Sequence, residues 1–408
     1  MVSAQPFAPP SPPPNTTGWR TPWVQLKTWT FHPQIYPSMI RDASPDARPG
    51  ALVSVYDKDG REFGAGLWNP SARVPLRVLH HGTEPFGEDE LTAYLDRAIE
   101  LRLDLLKLGA QTEAFRVIHS DADGLSGLII DRFGDTLSVQ LHSLGMAQRL
   151  AGWLPHLHAR LGTKRCVVEV DPAIARFEKI DMRMLKSDPV RAVKFRENGL
   201  LYEVDFATGH KTGFFCDQRD NRRRLVDFCK DKRVLDICCY TGGFALAAKV
   251  LGGAKEVVGV DLDEAAIAQA KRNANINGQA RIEWVHCDGF SYLRQMRKNT
   301  ERWDVVVLDP PKLVFSREPE EGEEDGIVKY EDLNSLGIVV TAPGGLLVTC
   351  SCSGQLSAED FERAVVKAAH RVGRKLQIID RTGPGADHPM MSNCPESRYL
   401  KVIWARVW

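Results

Sequence analysis

Short segments in which hydrophobic and polar residues alternate occupy the first fifth of the chain and predict β-strands. Residues 51–56 alternate toward the turn at 57–60, and residues 62–67 resume the pattern. We therefore expect residues 21–80 to form a small β-barrel. Residues 1–20 are proline-rich and nearly devoid of large apolar side chains, so we expect a disordered tail there.

A helical period follows, because leucine and isoleucine recur every three or four residues through residues 91–108. Strand-like segments and one further helix then alternate with glycine-containing turns. The strands are predicted at 115–118, 128–131, 136–141 and 165–170, and the helix at 147–161. This mixture predicts an α/β middle domain over residues 90–205.

Apolar strand segments alternate regularly with amphipathic helices from residue 206 to residue 408. The strands are predicted at 234–237, 256–260, 282–286, 304–308, 345–349 and 400–407, and the helices at 243–250, 264–275, 290–297 and 358–372. Such alternation is typical of a parallel sheet covered by helices. The fold class we expect is therefore α/β, with a Rossmann-like domain preceded by the barrel and the middle domain.

Composition places the chain among soluble globular proteins, with 43% hydrophobic and 26% charged residues. We expect a cytoplasmic protein, because no apolar segment approaches the length of a membrane span and no signal peptide is evident. The 53 basic residues balance the 53 acidic ones, which argues against nucleic-acid binding through bulk charge. Nine cysteines occur without a C-x-x-C pair, so we expect reduced thiols and no metal site.

A strand that runs into a paired-glycine turn gives the sharpest chemical signal, at residues 234–244. Gly242 and Gly243 would let the backbone approach a ligand, whereas the alternative is that they only allow close packing. The G-x-G-x-x-G spacing of a dinucleotide site is absent, and Asp236 would repel a pyrophosphate. A carboxylate at this place suits the ammonium and sulfonium of S-adenosylmethionine. Asp261, at the next strand end, can accept from ribose hydroxyls, and Asp288 from an adenine amino group.

Two further strand ends carry reactive residues, in Asp309-Pro310-Pro311-Lys312 and at Cys352. Carbon 5 of cytosine becomes nucleophilic when a thiolate adds to carbon 6, and a protonated carboxyl can then hydrogen-bond nitrogen 3. Cys352 and Asp309 are the candidates for these two roles. The residue that removes the proton from carbon 5 is not assigned by the sequence. A buried packing role is the alternative for Cys352.

Two other functions stay open at this point. In amino-group methylation, the Asp-Pro-Pro loop alone would position an exocyclic nitrogen, although Lys312 stands where such sites usually have an aromatic residue. A non-catalytic ribosome-assembly protein that binds RNA would have retained the fold without turnover.

The combined motifs resemble those of the bacterial 23S ribosomal RNA cytosine-5 methyltransferases, which have a PUA domain, a middle domain with a β-hairpin and a Rossmann-like methyltransferase domain. The resemblance covers nearly everything after the proline-rich tail. It rests on His210-Lys-Thr-Gly-Phe-Phe-Cys-Asp-Gln-Arg219, Tyr240-Thr-Gly-Gly-Phe244, Val260-Asp261, Asp309-Pro-Pro-Lys312, Ser351-Cys-Ser-Gly354, residues 123–134 and Asp387-His-Pro389.

The resemblance implies an S-adenosylmethionine-dependent enzyme in which Cys352 is the nucleophile and Cys350 a packing residue. Ser126 departs from the family, which has proline there, and the residues around His32-Pro33 differ from the PUA motif. The motifs and the resemblance together predict a cofactor site formed by Gln218, Asp236, Tyr240, Thr241, Gly242, Gly243, Phe244, Asp261, Leu262, Asp288, Gly289 and Asp309.

Ribosomal RNA, from the large subunit according to the resemblance, is the expected partner, and both a monomer and a homodimer are open. The target cytosine must be single-stranded or flipped out, because its face has to be reached. The expected phosphate contacts are Lys211, Arg219, Arg222, Arg223 and Lys312. A solvated helix start is the alternative for residues 222–224. Phe214 or Phe215 would stack on the base or pack in the core, and the acidic residues 318–325 should form a loop that turns away from RNA.

Overall fold

The first structural unit is a six-stranded sheet. A computed structural model describes residues 16–207, 213–278, 281–314 and 326–408. The strands of this unit are β1 (Trp23–Leu26), β2 (Gln34–Ile35), β3 (Ile40–Ala43), β4 (Leu52–Tyr56), β5 (Glu62–Trp68) and β6 (Leu76–His81). Their order in the sheet is β2-β6-β5-β4-β1-β3, and only β1 and β4 pair in parallel. The inward side chains, among them Val24, Ile35 and Leu76, form a separate small core.

The second unit contains a four-stranded sheet of order β10-β9-β8-β7 and helices that cover it. Its elements are α1 (Glu88–Glu100), β7 (Ala114–His119), β8 (Leu128–Phe133), β9 (Thr136–Leu141), α2 (Leu144–Leu161), β10 (Arg165–Glu169) and α3 (Pro172–Glu178). The long predicted helix ends as α1 at Glu100 and continues only as a wider helical turn, Leu101–Leu105. Lys107 then adopts a left-handed conformation with φ of 52°, which ends the helical segment.

A two-stranded hairpin links the second unit to the third. Strands β11 (Ala192–Glu197) and β12 (Leu200–Asp205) alternate buried and solvent-facing side chains. Phe195 and Tyr202 on the buried face pack with Phe133 of β8 and with Phe214. The hairpin therefore lies in a core that the second and third units share.

The third unit is a seven-stranded sheet with helices on both faces. Its elements are α4 (Arg219–Leu225), β13 (Arg233–Ile237), α5 (Gly243–Leu246), β14 (Glu256–Asp261), α6 (Glu264–Ile276), β15 (Glu283–His286), α7 (Gly289–Lys298), β16 (Trp303–Leu308), α8 (Gly326–Val340), β17 (Thr341–Ser351), α9 (Ala358–Arg371), β18 (Leu376–Thr382) and β19 (Lys401–Val407). The order is β15-β14-β13-β16-β17-β19-β18, and the predicted Rossmann-like α/β fold is confirmed.

Strands β13 to β17 are parallel, whereas β19 runs antiparallel to both β17 and β18. The central strands are continuous apolar segments because helices cover both of their faces. Helix α8 and strand β18 were not predicted. Helix α8 is buried around most of its circumference and buries polar residues such as Glu331 and Asn334, so it lacks the amphipathic period used to find the others. None of the helices in the described ranges is both long and apolar enough to cross a lipid bilayer.

Buried ion pairs join the second unit to the third. The Asp387 carboxylate accepts two hydrogen bonds from the Arg219 guanidinium, at 3.0 and 2.9 Å, and one from the backbone N–H of Arg116. The backbone carbonyl of Asp387 accepts from Arg102, which also forms a bidentate pair with Asp123. Two of the sequence motifs, residues 123–134 and 387–389, therefore meet at this junction.

Replacement of Asp387 by asparagine should destabilise the protein strongly. The buried Arg219 guanidinium would lose its buried counter-charge and would keep only the exposed carboxylate of Asp220, 3.0 Å from its Nε. Loss of one partner of a buried ion pair typically costs about 3–5 kcal/mol of unfolding free energy. Chemical denaturation at pH 7 measures the change. The matched control is Asp227→Asn, because Asp227 pairs with Arg223 at 3.5 Å on the surface and its loss should change stability little.

The pH dependence of the unfolding free energy provides a second test of the same variant. Burial would raise the pKa of Asp387, but His388 and Arg219 hold it well below the ordinary value. The contribution of the ionised carboxylate is thus present above the unfolded-state pKa of about 3.9 and is lost as pH falls below it. The stability difference between wild type and Asp387→Asn should narrow below about pH 4. Equal stability of the two proteins at pH 7 would contradict the assignment.

Candidate functional site

The carboxyl ends of the parallel strands bring the predicted site residues to one edge of the sheet. Ile237 of β13 lies opposite Val260 of β14 and Leu308 of β16, and Leu308 lies opposite Thr349 of β17. The segments that follow these positions carry Asp261, Asp309 and Cys352. In open α/β sheets this edge is where ligands bind.

Asp236 anchors the turn that follows β13. Its side chain is fully buried, and one oxygen, Oδ2, accepts a hydrogen bond from the backbone N–H of Ala245 at 2.9 Å. The other oxygen, Oδ1, is buried and has no hydrogen-bond partner among the described residues. Burial, followed by the nearby charges of Asp309 and Asp261, raises the pKa of Asp236 well above its ordinary value. A bound cationic group would supply the missing partner, so the turn fits the ammonium and sulfonium of S-adenosylmethionine.

The paired glycines are required by the packing of the chain itself. Gly242 has a φ of +84°, and a Cβ there would lie 2.4 Å from the Trp284 ring. A Cβ at Gly243 would lie 2.9 Å from Cδ of Arg222. Close packing therefore accounts for both glycines without any ligand, as the alternative interpretation of this motif proposed. Their backbone still forms the turn that faces the sheet edge.

The residues around the glycines have structural contacts of their own. Thr241 is buried and its carbonyl oxygen accepts from Asn273 at 3.1 Å, and Phe244 packs in the core. Tyr240 has a φ of 48°, and its hydroxyl donates to the carbonyl of Gly213 at 3.1 Å. Phe215 packs edge-on against the Tyr240 ring at 5.0 Å between centroids.

Asp261 holds the turn from the neighbouring strand. Its Oδ2 accepts from the backbone N–H of Tyr240 at 2.8 Å, and its Oδ1 accepts from the N–H of Asp263 at 2.9 Å. Leu262, directly after it, is 66% exposed and borders the edge. An exposed apolar side chain next to a carboxylate is suited to the flat face of an adenosine.

Asp288 caps helix α7. Its Oδ1 accepts from both the backbone N–H and the hydroxyl of Ser291, each at 2.8 Å. A Cβ at Gly289 would lie 2.8 Å from Ile237, so this glycine allows α7 to begin against β13. The cap fixes the Asp288 carboxylate at the third strand end, where it was expected.

Asp309 is partly buried and is held by Gln218, whose Nε2 donates to Oδ2 at 3.1 Å. The orientation of the Gln218 amide is set by Asn221, which donates to Gln218 Oε1 at 2.7 Å. Burial, and then the negative charge of Asp217, raises the pKa of Asp309 to about 7. This carboxyl is therefore present in both protonation states near neutral pH.

Asp217 and Tyr399 belong to the site but were not found in the sequence. The Tyr399 hydroxyl donates to Asp217 Oδ2 at 2.5 Å, and Asp217 Oδ1 is buried without a hydrogen-bond partner among the described residues. The two residues are 182 positions apart in the chain. No local motif marks such a pair, although Asp217 does lie inside the distinctive block that ends at Arg219.

The loops that carry Asp309 and Cys352 are hydrogen-bonded to each other. Ser353 Oγ accepts from the backbone N–H groups of Leu313 and Val314, at 3.2 and 3.1 Å. Tyr330 on α8 contacts both Ser351 Oγ and Ser353 Oγ, at 2.9 and 3.0 Å. Sequence reasoning missed Tyr330 because α8 itself was missed. These contacts fix the two loops in one arrangement.

The two cysteines on either side of Ser351 differ in environment. Cys352 is partly exposed, and its Sγ lies 3.9 Å from the carbonyl oxygen of Pro310 on the neighbouring loop. Cys350 is fully buried, and burial raises the pKa of its thiol well above the ordinary value, with Asp309 adding to the effect. Cys352 is therefore the thiol that a substrate can reach.

The prediction that Arg219 and Arg222 contact RNA phosphates is wrong. Both guanidinium groups are buried, and Arg222 forms a bidentate pair with Glu197 at 2.8 and 2.7 Å. Their charges are thus neutralised inside the protein and are unavailable to RNA phosphates. Arg223 is exposed, with Asp227 at 3.5 Å, and Lys312 is exposed on the Asp-Pro-Pro loop. Two further expectations, Lys211 and the acidic residues 318–325, lie outside the described residues.

The packing of Phe214 decides between its two expected roles, stacking on a base and packing in the core. It is 4% exposed and packs against Phe195 at 5.0 Å, so it is a core residue and does not stack on a base.

One group of potential metal ligands occurs among the described residues, although no metal site was expected. Side-chain atoms of His32, Cys394 and Glu396 lie within 4.8 Å of one another. His32 Nε2 lies 3.3 Å from Glu396, and the backbone N–H of Gln34 donates to His32 Nδ1 at 3.1 Å. The carbonyl oxygen of Gln34 also lies 3.3 Å from Nδ1, so both ring nitrogens of His32 have polar partners. Hydrogen bonding thus accounts for this group, which ties the first unit to the C-terminal segment.

Comparisons with known proteins agree with this geometry. Residues 176–384 match the family described as S-adenosylmethionine-dependent methyltransferase, and residues 27–81 match the PUA-like domain. A chain described as a methyltransferase and crystallised with SAH superimposes with a TM-score of 0.76 at 19% identity, over 94% of this chain and 99% of that one, which shows the shared fold.

Curated relatives extend over most of the chain. The ribosomal RNA large subunit methyltransferase I of Erwinia tasmaniensis is 33% identical over 92% of this chain and 95% of its own length. The protein of the same name from Photobacterium profundum is 36% identical over 86% of this chain and 89% of its own length. The chain therefore belongs to the ribosomal RNA large subunit methyltransferase I family and is an S-adenosylmethionine-dependent methyltransferase with an N-terminal PUA-like domain.

Proposed function

We propose that the enzyme methylates carbon 5 of a cytosine in 23S ribosomal RNA through a covalent adduct with Cys352. The observation that carries the proposal is the pairing of a carboxyl with a raised pKa, Asp309, and a reachable thiol, Cys352, on two hydrogen-bonded loops. The names of the curated relatives support large-subunit ribosomal RNA as the substrate. The target must be unpaired or flipped out for its carbon 6 to reach the thiol.

The cofactor side of the site comprises three carboxylates on successive strands. Asp236 would neutralise the positive charge of the methionine part, Asp261 would accept from the ribose and Asp288 from the adenine. When bound, S-adenosylmethionine supplies an electrophilic methyl group. Leu262 and Gly289 border the same edge.

Cys352 and Asp309 would divide the chemistry on the base between them. The Cys352 thiolate forms a bond to carbon 6, and the electron pair of the 5,6 double bond moves toward carbon 5 and nitrogen 3. Protonated Asp309 donates a hydrogen bond to nitrogen 3 and so stabilises the charge that develops there. After carbon 5 has been methylated, its proton passes to water, the electron pair of that C–H bond re-forms the 5,6 double bond, and Cys352 leaves as the thiolate.

RNA contacts outside the reacting base are assigned to exposed cations near the site. Lys312 follows the two prolines after Asp309, and Arg223 lies on the outer side of α4. Both can neutralise phosphates without disturbing buried ion pairs.

Replacement of Cys352 by alanine tests its role as the nucleophile. Cys352→Ala should abolish formation of 5-methylcytosine while the affinity for S-adenosylmethionine, measured by calorimetry, stays within about twofold of wild type. The assay is transfer of labelled methyl to unmodified large-subunit RNA, followed by nucleoside analysis. RNA containing 5-fluorocytosine should trap a denaturation-resistant protein adduct with wild type and none with Cys352→Ala, because fluorine cannot leave as a cation.

The neighbouring cysteine provides the matched control. Cys350→Ala should still form the trapped adduct, since the Cys350 side chain is fully buried. If Cys352→Ala retains full activity, or if the labelled methyl appears on an exocyclic nitrogen, the covalent mechanism is refuted and amino-group methylation through Asp309 takes its place.

Replacement of Asp217 tests the role of protonated Asp309. Burial and the Asp217 charge both raise the pKa of Asp309, to about 7, so the protonated form declines as pH rises above 7. Asp217→Asn removes the second cause and can still accept from Tyr399. The pKa of Asp309 should fall, and the alkaline limb of the kcat profile should move to lower pH by about one unit.

The control is Glu256→Gln, because this exposed residue begins β14 at the end of the sheet opposite to the site. An alkaline limb that stays in place in Asp217→Asn would show that protonated Asp309 does not limit turnover.

A further inference from the structure

Lys401 lies beside the loop that carries Cys352 and has no role in the mechanism described above. It is the first residue of β19 and lies opposite Ser351 in the antiparallel pair with β17. Its side chain is 6% exposed. Its Nζ donates to the backbone carbonyls of Ser353 at 2.6 Å and Leu356 at 2.9 Å.

These two hydrogen bonds fix the turn directly after the thiol. Leu356 also donates its backbone N–H to the Ser353 carbonyl at 3.1 Å, so the ammonium closes a turn that is already formed. An ammonium has three N–H donors, and two of them are directed to these carbonyls. The loop is therefore held from the sheet side by Lys401 and from the Asp309 side by Ser353 Oγ.

The charge of Lys401 is not neutralised by a carboxylate within the described parts of the chain, where its hydrogen bonds go to two neutral carbonyls. Buried charges in proteins are usually paired, because desolvation of an isolated ion is costly. Desolvation lowers the pKa of Lys401 to about 8, while negative charge on Cys352 would raise it. At neutral pH the ammonium is still protonated, and it is bonded to the carbonyl of Ser353, the residue that directly follows Cys352.

We propose that Lys401 is a positioning residue that holds the Cys352 loop and keeps a positive charge beside its sulfur, so that Cys352 is stabilised as the thiolate. The inference rests on the proposed role of Cys352 as the nucleophile. The positive charge of Lys401 favours ionisation of a thiol that would otherwise be only a few per cent thiolate at neutral pH. The proton of the thiol passes to solvent, and Lys401 keeps its own.

Other charged and titratable groups face the same loop. Arg398, just before β19, opposes protonation of Lys401, and Tyr330 and Cys350 interact electrostatically with Cys352 from α8 and β17. Lys312 lies on the facing loop. Arg398 and Lys312 are exposed, whereas Lys401 is buried, and charge effects are larger where water is excluded.

The test measures how readily Cys352 is alkylated by iodoacetamide as a function of pH, with the modified peptide quantified by mass spectrometry. Lys401→Gln keeps an amide donor for the Ser353 carbonyl but removes the charge. We expect its alkylation rate at pH 7 to fall about tenfold, which corresponds to a rise of about one unit in the thiol pKa. Lys401→Arg keeps the cation and should remain within about threefold of wild type.

Lys375→Met is the matched control, because Lys375 is an exposed lysine next to β18 of the same sheet. Its alkylation profile should match wild type. The kcat of Lys401→Gln relative to that of wild type should be low at pH 7 and should approach one as the pH is raised, because loss of the Asp309 proton slows both proteins alike; a merely misfolded loop would keep the ratio low at every pH.

Three results would overturn the proposal. One is an unchanged alkylation profile in Lys401→Gln, and another is an equal loss in Lys401→Gln and Lys401→Arg. The third result needs no variant. It is a pKa of the Cys352 thiol in wild type that is at or above the ordinary value of about 8.5. Alkylation uses neither RNA nor S-adenosylmethionine, so this result is independent of whether Cys352→Ala loses methyl transfer.

Discussion

The buried ion pair between Arg219 and Asp387 is the interaction on which the arrangement of the whole molecule depends. It holds the loop before β19 against the start of α4, and through Arg116 it attaches both to the second structural unit. Such a pair contributes little net stability compared with apolar packing, but loss of one partner leaves an uncompensated charge. Its effect is therefore to specify one relative position of the segments that meet there.

The residues on either side of Arg219 extend this constraint to the site. Asp217 accepts from Tyr399, and Gln218 donates to Asp309. Arg222, one helical turn later, pairs with Glu197 on the hairpin. Successive side chains of one short segment thus connect the C-terminal segment, the Asp-Pro-Pro loop and the hairpin. A displacement of this segment would move the carboxyl of Asp309 together with the domain junction.

The sequence predicted the sheet and the strand-end motifs because these features are local. Apolar strands alternating with amphipathic helices have a fixed period, and parallel strands necessarily present their carboxyl ends at one edge. The positions of Asp236, Asp261 and Asp309 followed from that rule alone. Helix α8 and the strands β18 and β19 have no such period, and only β19, predicted at residues 400–407, was anticipated among them.

Burial was the property that the sequence did not reveal. Arg219 and Arg222 were interpreted as a surface patch because four arginines crowd one segment, yet two of them face inward toward carboxylates far away in the chain. Tyr399 and Lys401 were missed for the same reason, since their partners are 182 and 48 residues distant. Long-range contacts of this kind have no local signature, so residues that tune a site are harder to find than residues that form it.

The proposed reaction requires opposite protonation states of two groups on adjacent loops at the same pH. Asp309 must carry a proton, whereas Cys352 must lose one, and a uniform environment would move both pKa values in the same direction. The structure separates the two environments. Asp309 is partly buried and lies near the negative charge of Asp217, and both effects favour the neutral acid. The turn after Cys352 is held by the buried ammonium of Lys401, whose positive charge would favour the anion. Because Ser353 joins the loops by hydrogen bonds, each group keeps its own electrostatic environment while the two loops stay together, as the proposed reaction on one base requires.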